Sequence, residues 1–172
     1  MGMAAAGGTF ALWNSTATIA TASTVKSGSA SLSVSALSGT GTNLYPGVTS
    51  YQTATVTNTS PIYSAESAIP SLALSLKSLT LTSASNTFAT ALTVSIAVVP
   101  LTANCAAGFT PAWTGAFGAV PSSSPSLNKT LVGNGSTAVL CVAVTLPSGV
   151  AGASQIAAAP TYSVVIDGTA VS

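Results

Sequence analysis

The sequence predicts an all-β fold, an antiparallel sandwich of about seven or eight strands in two sheets, of jelly-roll or immunoglobulin-like kind. Three observations predict it. Apolar residues alternate with Ser and Thr at a period of two in segment after segment, which is the pattern of half-buried strands. Gly, Pro and Asn clusters punctuate these runs. Helix signals are weak throughout, and 48% of the 172 residues are apolar at a net charge of +1, enough to build a core in one domain.

The first extended run is Leu12–Ala22, in which Trp13, Ala17 and Ile19 fall on one strand face and Asn14, Thr16 and Thr18 on the other. No hairpin turn joins it to the next segment, so it is a candidate edge-pairing arm; it also suits the first strand of its own sandwich. Ala30, Leu32, Val34 and Ala36 follow, then, past the turns Ser38–Gly41, Tyr45-Pro-Gly47 and Asn58–Pro61, the leucines at 72, 74, 76, 79 and 81. A short helix fits near Ser83–Thr90. Leu92, Val94, Ile96 and Val98 form the next alternation, and Ala138, Leu140, Val142, Val144 and Leu146 another. Between them, Pro100–Gly135 reads as an irregular excursion tacked down by Cys105, Phe109, Trp113 and Phe117. After the Pro147-Ser-Gly149 turn, Tyr162, Val164 and Ile166 make the closing strand, with Asp167-Gly168 as its punctuator.

Charge is the scarcest commodity in the chain. There is no histidine and no arginine, and only Lys26, Glu66, Lys77, Lys129 and Asp167 ionise as side chains. General acid–base work, metal ligation and phosphate clamping draw on those missing residue types, so no catalytic residue, metal ligand or cofactor is expected. Three lysines roughly fifty residues apart make no nucleic-acid patch. A surface with so little charge tends to associate.

Cys105 and Cys141 form either a disulfide or two free thiols, and no CxxC spacing suggests zinc or redox work. The disulfide is the favoured reading and implies an oxidising, extracytoplasmic compartment. Residues 1–11 resemble the end of a secretory signal or a flexible N-terminus, with an A-x-A-like finish at Thr9-Phe10-Ala11. No stretch of about 20 apolar residues occurs, so no membrane insertion of the mature chain is expected. Asn-x-Ser/Thr sequons stand at Asn14, Asn58, Asn128 and Asn134 as candidate glycosylation sites. Of these, Asn128 and Asn134 flank the loop that reads as most exposed.

Several blocks resemble the TasA/camelysin family of secreted biofilm-matrix fibre proteins, which includes archaeal bundling-pilus subunits. They are Gly7-Gly-Thr-Phe-Ala-Leu-Trp-Asn14, Thr24-Val-Lys-Ser-Gly-Ser-Ala-Ser-Leu-Ser-Val34, Leu44-Tyr-Pro-Gly47 with Thr53–Asn58, and the closing Tyr162–Ala170. Residues 65–155 match only in strand-like pattern. The resemblance implies a secreted jelly-roll subunit of a cell-surface filament, a homopolymer joined by donor-strand exchange and bundled laterally with like filaments. On that reading residues 12–22 are the donor-strand arm, through Leu12, Trp13, Ala17 and Ile19, and residues 23–172 are the sandwich domain. The metalloprotease activity described for camelysins has no basis here, because H-E-x-x-H needs histidines. The alternative is a non-polymerising secreted adhesin or S-layer-like module in which residues 12–22 fold back on their own domain.

Overall fold

A computed structural model of the chain describes residues 14–18, 23–27, 30–39, 44–61, 71–82, 87–150 and 161–171. Ten strands occur among them: β1 (Asn14–Thr18), β2 (Ser23–Ser27), β3 (Ala30–Val34), β4 (Thr49–Asn58), β5 (Ser71–Leu81), β6 (Thr93–Val99), β7 (Trp113–Gly115), β8 (Ser126–Leu131), β9 (Thr137–Thr145) and β10 (Tyr162–Val171). One short α-helix, α1 (Thr87–Ala91), lies between β5 and β6 and buries Phe88 and Ala89, and a 3-10 turn spans Thr102–Asn104.

The strands form two antiparallel sheets, one in the order β1-β10-β5-β8 and the other β2-β3-β4-β9-β6-β7. If the β2–β3 hairpin is set aside, eight strands remain. Every step between consecutive members of those eight crosses to the other sheet, except β6 to β7. That is jelly-roll connectivity, which settles the choice left open between jelly-roll and immunoglobulin-like sandwiches. The hairpin widens the second sheet beyond β4.

The core is the sum of the two inner faces. Leu72, Leu74, Leu76, Val164 and Ile166 from the first sheet meet Leu32, Val56, Ile96, Leu140 and Val142 from the second, all essentially inaccessible to solvent. Each such side chain contributes about 1.5–3 kcal/mol by leaving water. Phe117 closes one end against Tyr162, their rings 5.3 Å apart and tilted by 48°.

Three sequence expectations need correction. The alternation through Ala36 ends at Val34, and Ala36 is exposed. The stretch Pro100–Gly135 is not wholly irregular, since it contains β7 and β8. β7 is too short to show a period, and in β8 only Leu127 and Leu131 are buried. Asn128 there has a positive φ of 54°, which breaks the strand's alternation and leaves Lys129 exposed where the period would bury it. Finally, Asp167-Gly168 is not a turn but lies inside β10. A Cβ on Gly168 would come within 2.7 Å of Leu32 Cδ1, so glycine is there to let the facing sheet pack close.

The Tyr45-Pro-Gly47 turn is as read. Val48 N–H donates to Tyr45 O at 2.9 Å and Gly47 has φ 83°, the geometry of a type II turn.

Candidate functional site

The candidate assembly element is β1. Its backbone pairs antiparallel with β10 in register Asn14↔Thr169, Ser15↔Gly168, Thr16↔Asp167, Ala17↔Ile166 and Thr18↔Val165. It stands at the edge of its sheet with β10 as its one strand neighbour, and the chain then passes to β2, the edge of the opposite sheet. The first and the last strand of the jelly roll are therefore partners, and in the single chain this pairing is intramolecular. Ala17 sits on β1 opposite a core position. Leu12, Trp13 and Ile19, like residues 1–11, lie outside the described residues.

Three further edges exist among the described strands: β8 in the first sheet, and β2 and β7 in the second. β7 offers only three residues. β8 pairs with β5 at Leu72↔Leu131, Ala73↔Thr130 and Ser75↔Ser126, with an irregularity between the last two. Lys129 is exposed on it, and an edge carrying a lysine and a bulge discourages uncontrolled pairing.

Cys105 and Cys141 are joined in a disulfide, with Cα atoms 5.3 Å apart across a sequence separation of 36. Cys141 lies on the outer face of β9, and the bridge pins the segment after β6 onto that face with Val99, Tyr51, Phe109 and Val139 packed around it. Tyr51 and Phe109 meet edge to face at 6.2 Å. The tacking expected of this excursion is thus real for its first part, while Trp113 and Phe117 pack on the main core.

The three sequons with described side chains differ sharply. Asn58 is fully buried; its Nδ2 donates to Leu131 O at 3.4 Å and its Oδ1 accepts from Ser60 N–H at 3.0 Å. Asn134 Nδ2 donates to Ser60 O at 2.6 Å. Together with Ser31 N–H donating to Ser60 Oγ at 3.1 Å, these bonds lock the turn after β4 to the β8–β9 connection. Asn128 and Asn134 are both exposed residues, but of the two only Asn134 has its amide nitrogen bound into the fold. Asn14 belongs to β1, but its side chain is not among those described.

The charged side chains described are Lys77, Lys129 and Asp167. Lys77 Nζ lies 3.5 Å from Asp167 Oδ2, at the rim of a groove of about 310 Å³ on the outer face of the first sheet, lined also by Ser75, Ser124 and Ser126. No group of three or more His, Cys, Asp or Glu residues that could hold a metal ion occurs among the described residues. No described helix is long and apolar enough to cross a membrane. Among the described residues, Tyr162 is the one side chain with a displaced titration: burial pushes its hydroxyl from 10.0 up to about 12, and that hydroxyl donates to Gln52 Oε1 at 2.8 Å. Sequence reasoning missed the Lys77–Asp167 pair and the Asn58–Ser60–Asn134 lock. Only the phase slip between Leu76 and Leu79 hinted at the first.

No family model matches this chain, and no curated protein or solved structure is found similar to it.

Proposed function

We propose that this chain is a structural, non-enzymatic subunit of an extracellular filament, a pilus or biofilm-matrix fibre, that polymerises by exchanging β1 between neighbouring copies. The observation that carries the reading is the place of β1: an edge strand whose backbone ladder has one partner, β10, and whose chain continues to β2 through residues 19–22. Such a strand can leave its own sheet and take the same place in another copy, keeping every backbone pair it had. Each recovered hydrogen bond contributes about 1 kcal/mol net. Donation in one direction and acceptance in the other does not close on itself, so the product is a filament. The resemblance to secreted fibre proteins points the same way.

Other features support the setting. A disulfide suits an oxidising compartment. Outer strand positions rich in Ser and Thr, such as Ser75, Ser95 and Thr114, offer hydroxyls for lateral bundling without charge. The second reading, a non-polymerising adhesin or S-layer-like module, is favoured by the intramolecular pairing of β1 in the single chain. Comparing the full chain with one lacking residues 1–22 by electron microscopy separates the two. Strand exchange predicts filaments from the full chain and none from the truncated one; the module reading predicts none from either, and filaments unchanged by the deletion would reject strand exchange.

A further inference from the structure

We infer that Asn128 carries an N-linked oligosaccharide, and that Asn58 and Asn134 do not. This rests on the extracytoplasmic part of the proposed function, since glycan transfer acts on exported chains, but not on polymerisation.

A sequon is read through two groups: the side-chain amide nitrogen that becomes glycosylated, and the hydroxyl two residues on. At Asn58 both are committed inside the fold. Its Nδ2 donates to Leu131 O, and the hydroxyl oxygen of Ser60 accepts from Ser31 N–H, both residues fully buried. At Asn134 both are again engaged, Nδ2 with Ser60 O at 2.6 Å and Ser136 Oγ donating to Gly133 O at 2.8 Å. A sugar on either would have to break the lock that ties β4 to the β8–β9 connection.

Asn128-Lys129-Thr130 is the reverse case. All three residues are exposed on the edge strand β8. Ser126 Oγ donates to Asn128 Oδ1 at 3.4 Å and accepts from Asn128 N–H at 3.0 Å, so the carbonyl side of the amide is held against the backbone. Among the described residues, none hydrogen-bonds Asn128 Nδ2 or Thr130 Oγ1. The positive φ of 54° at Asn128 swings the side chain off the strand's regular alternation. Beside it runs an open groove of about 290 Å³ lined by Val98, Val99, Pro100, Thr137 and Val139, a shelf on which the first sugars can lie.

The donor is a polyprenyl-diphosphate-linked oligosaccharide. The bond from Asn128 Nδ2 to the anomeric carbon forms as the bond from that carbon to the diphosphate oxygen breaks. The polyprenyl diphosphate leaves with the electron pair, and the amide proton passes to the transferring enzyme's base. A bulky glycan there covers the β8 edge, which discourages edge-to-edge addition at that end of the sheet and leaves the β1 side as the pairing edge.

The test is glycopeptide mass spectrometry on protein isolated from the outside of its own cells, digested with a protease of broad specificity. Peptides containing Asn128 should carry a sugar mass in more than half of the molecules, and those containing Asn58 or Asn134 should be bare. N128Q and T130V, expressed in the same cells and checked for folding by circular dichroism, should each lose that mass. Unmodified Asn128 in exported protein overturns the inference whatever the filament does. So does sugar on Asn58 or Asn134, or a glycan confined to Asn14.

Discussion

Lys77 and Asp167 meet because β5 carries one residue too many. Val165 pairs with Ser78 and Ile166 with Leu76, so Lys77 has no partner opposite it and bulges out of the ladder. The bulge brings its ammonium to 3.5 Å from the carboxylate of Asp167, whose side chain is 4% exposed against 49% for the lysine. Ordinarily an ion pair on a sheet surface is worth little. Here one partner is buried, and losing the other leaves a desolvated carboxylate with less support.

A double-mutant cycle with K77M and D167N should therefore show a coupling of about 1 kcal/mol, above the usual value for fully exposed pairs. Chemical denaturation of the four proteins measures it. The coupling should fall as salt is added, because the lysine end is open to solvent. A coupling of zero at low salt would mean that Asp167 is supported by its other neighbours.

Removing the disulfide should be the most costly small change. In the chain-entropy account a bridge closing a loop of this length, a separation of 36 residues, stabilises by about 3–4 kcal/mol. The double variant C105S/C141S should melt roughly 10 °C lower, with faster amide exchange in residues 100–112. The β4–β9–β6 pairing does not depend on the bridge and should keep its protection. A melting point unchanged by reductant would show that the excursion is held by Phe109 and Tyr51 alone.

Tyr162 sets an alkaline limit. Its hydroxyl titrates at about 12 in the folded chain against 10.0 when free, because burial disfavours the phenolate. A pKa raised by folding contributes stability that is complete below pH 10 and is lost as the pH rises toward 12, where the unfolded chain has already released its proton. Stability should thus fall across that interval. In Y162F the part of the fall due to this residue should vanish, at the expense of the hydrogen bond to Gln52, about 1 kcal/mol at neutral pH. Ultraviolet titration near 295 nm, followed with the unfolding midpoint, checks both.

Much of the sandwich could be read in advance because its strands obey one period. Leu72, Leu74 and Leu76, or Leu140, Val142 and Val144, each declare an inner face without help from distant residues. What the sequence concealed depended on partners far away in the chain. Gly168 looked like a turn residue, and only the passage of Leu32 across it explains a glycine within β10. β8 was hidden because Asn128 breaks its alternation. In the sequence Asn134 stands with Asn128 beside the loop that reads as most exposed, yet its amide and that of Asn58 are bound into a lock made by Ser31, Ser60 and Leu131. For the candidate assembly strand, the residues pointed to an edge element but did not name its neighbour. The pairing of β1 with β10 joins residues about 150 positions apart, a separation no local pattern reports.

On the proposed function, β1 of one copy occupies the place beside β10 of the next. Thr18 and Val165 stand opposite each other across that seam, and a pair of cysteines at these two positions would record which chains are joined. Filaments assembled from the T18C/V165C subunit, oxidised and then dissolved in denaturing detergent without reductant, should run as a covalent ladder of multimers. Filaments that dissolve to internally linked single chains would rule out exchange, because β1 would then have remained in its own sheet.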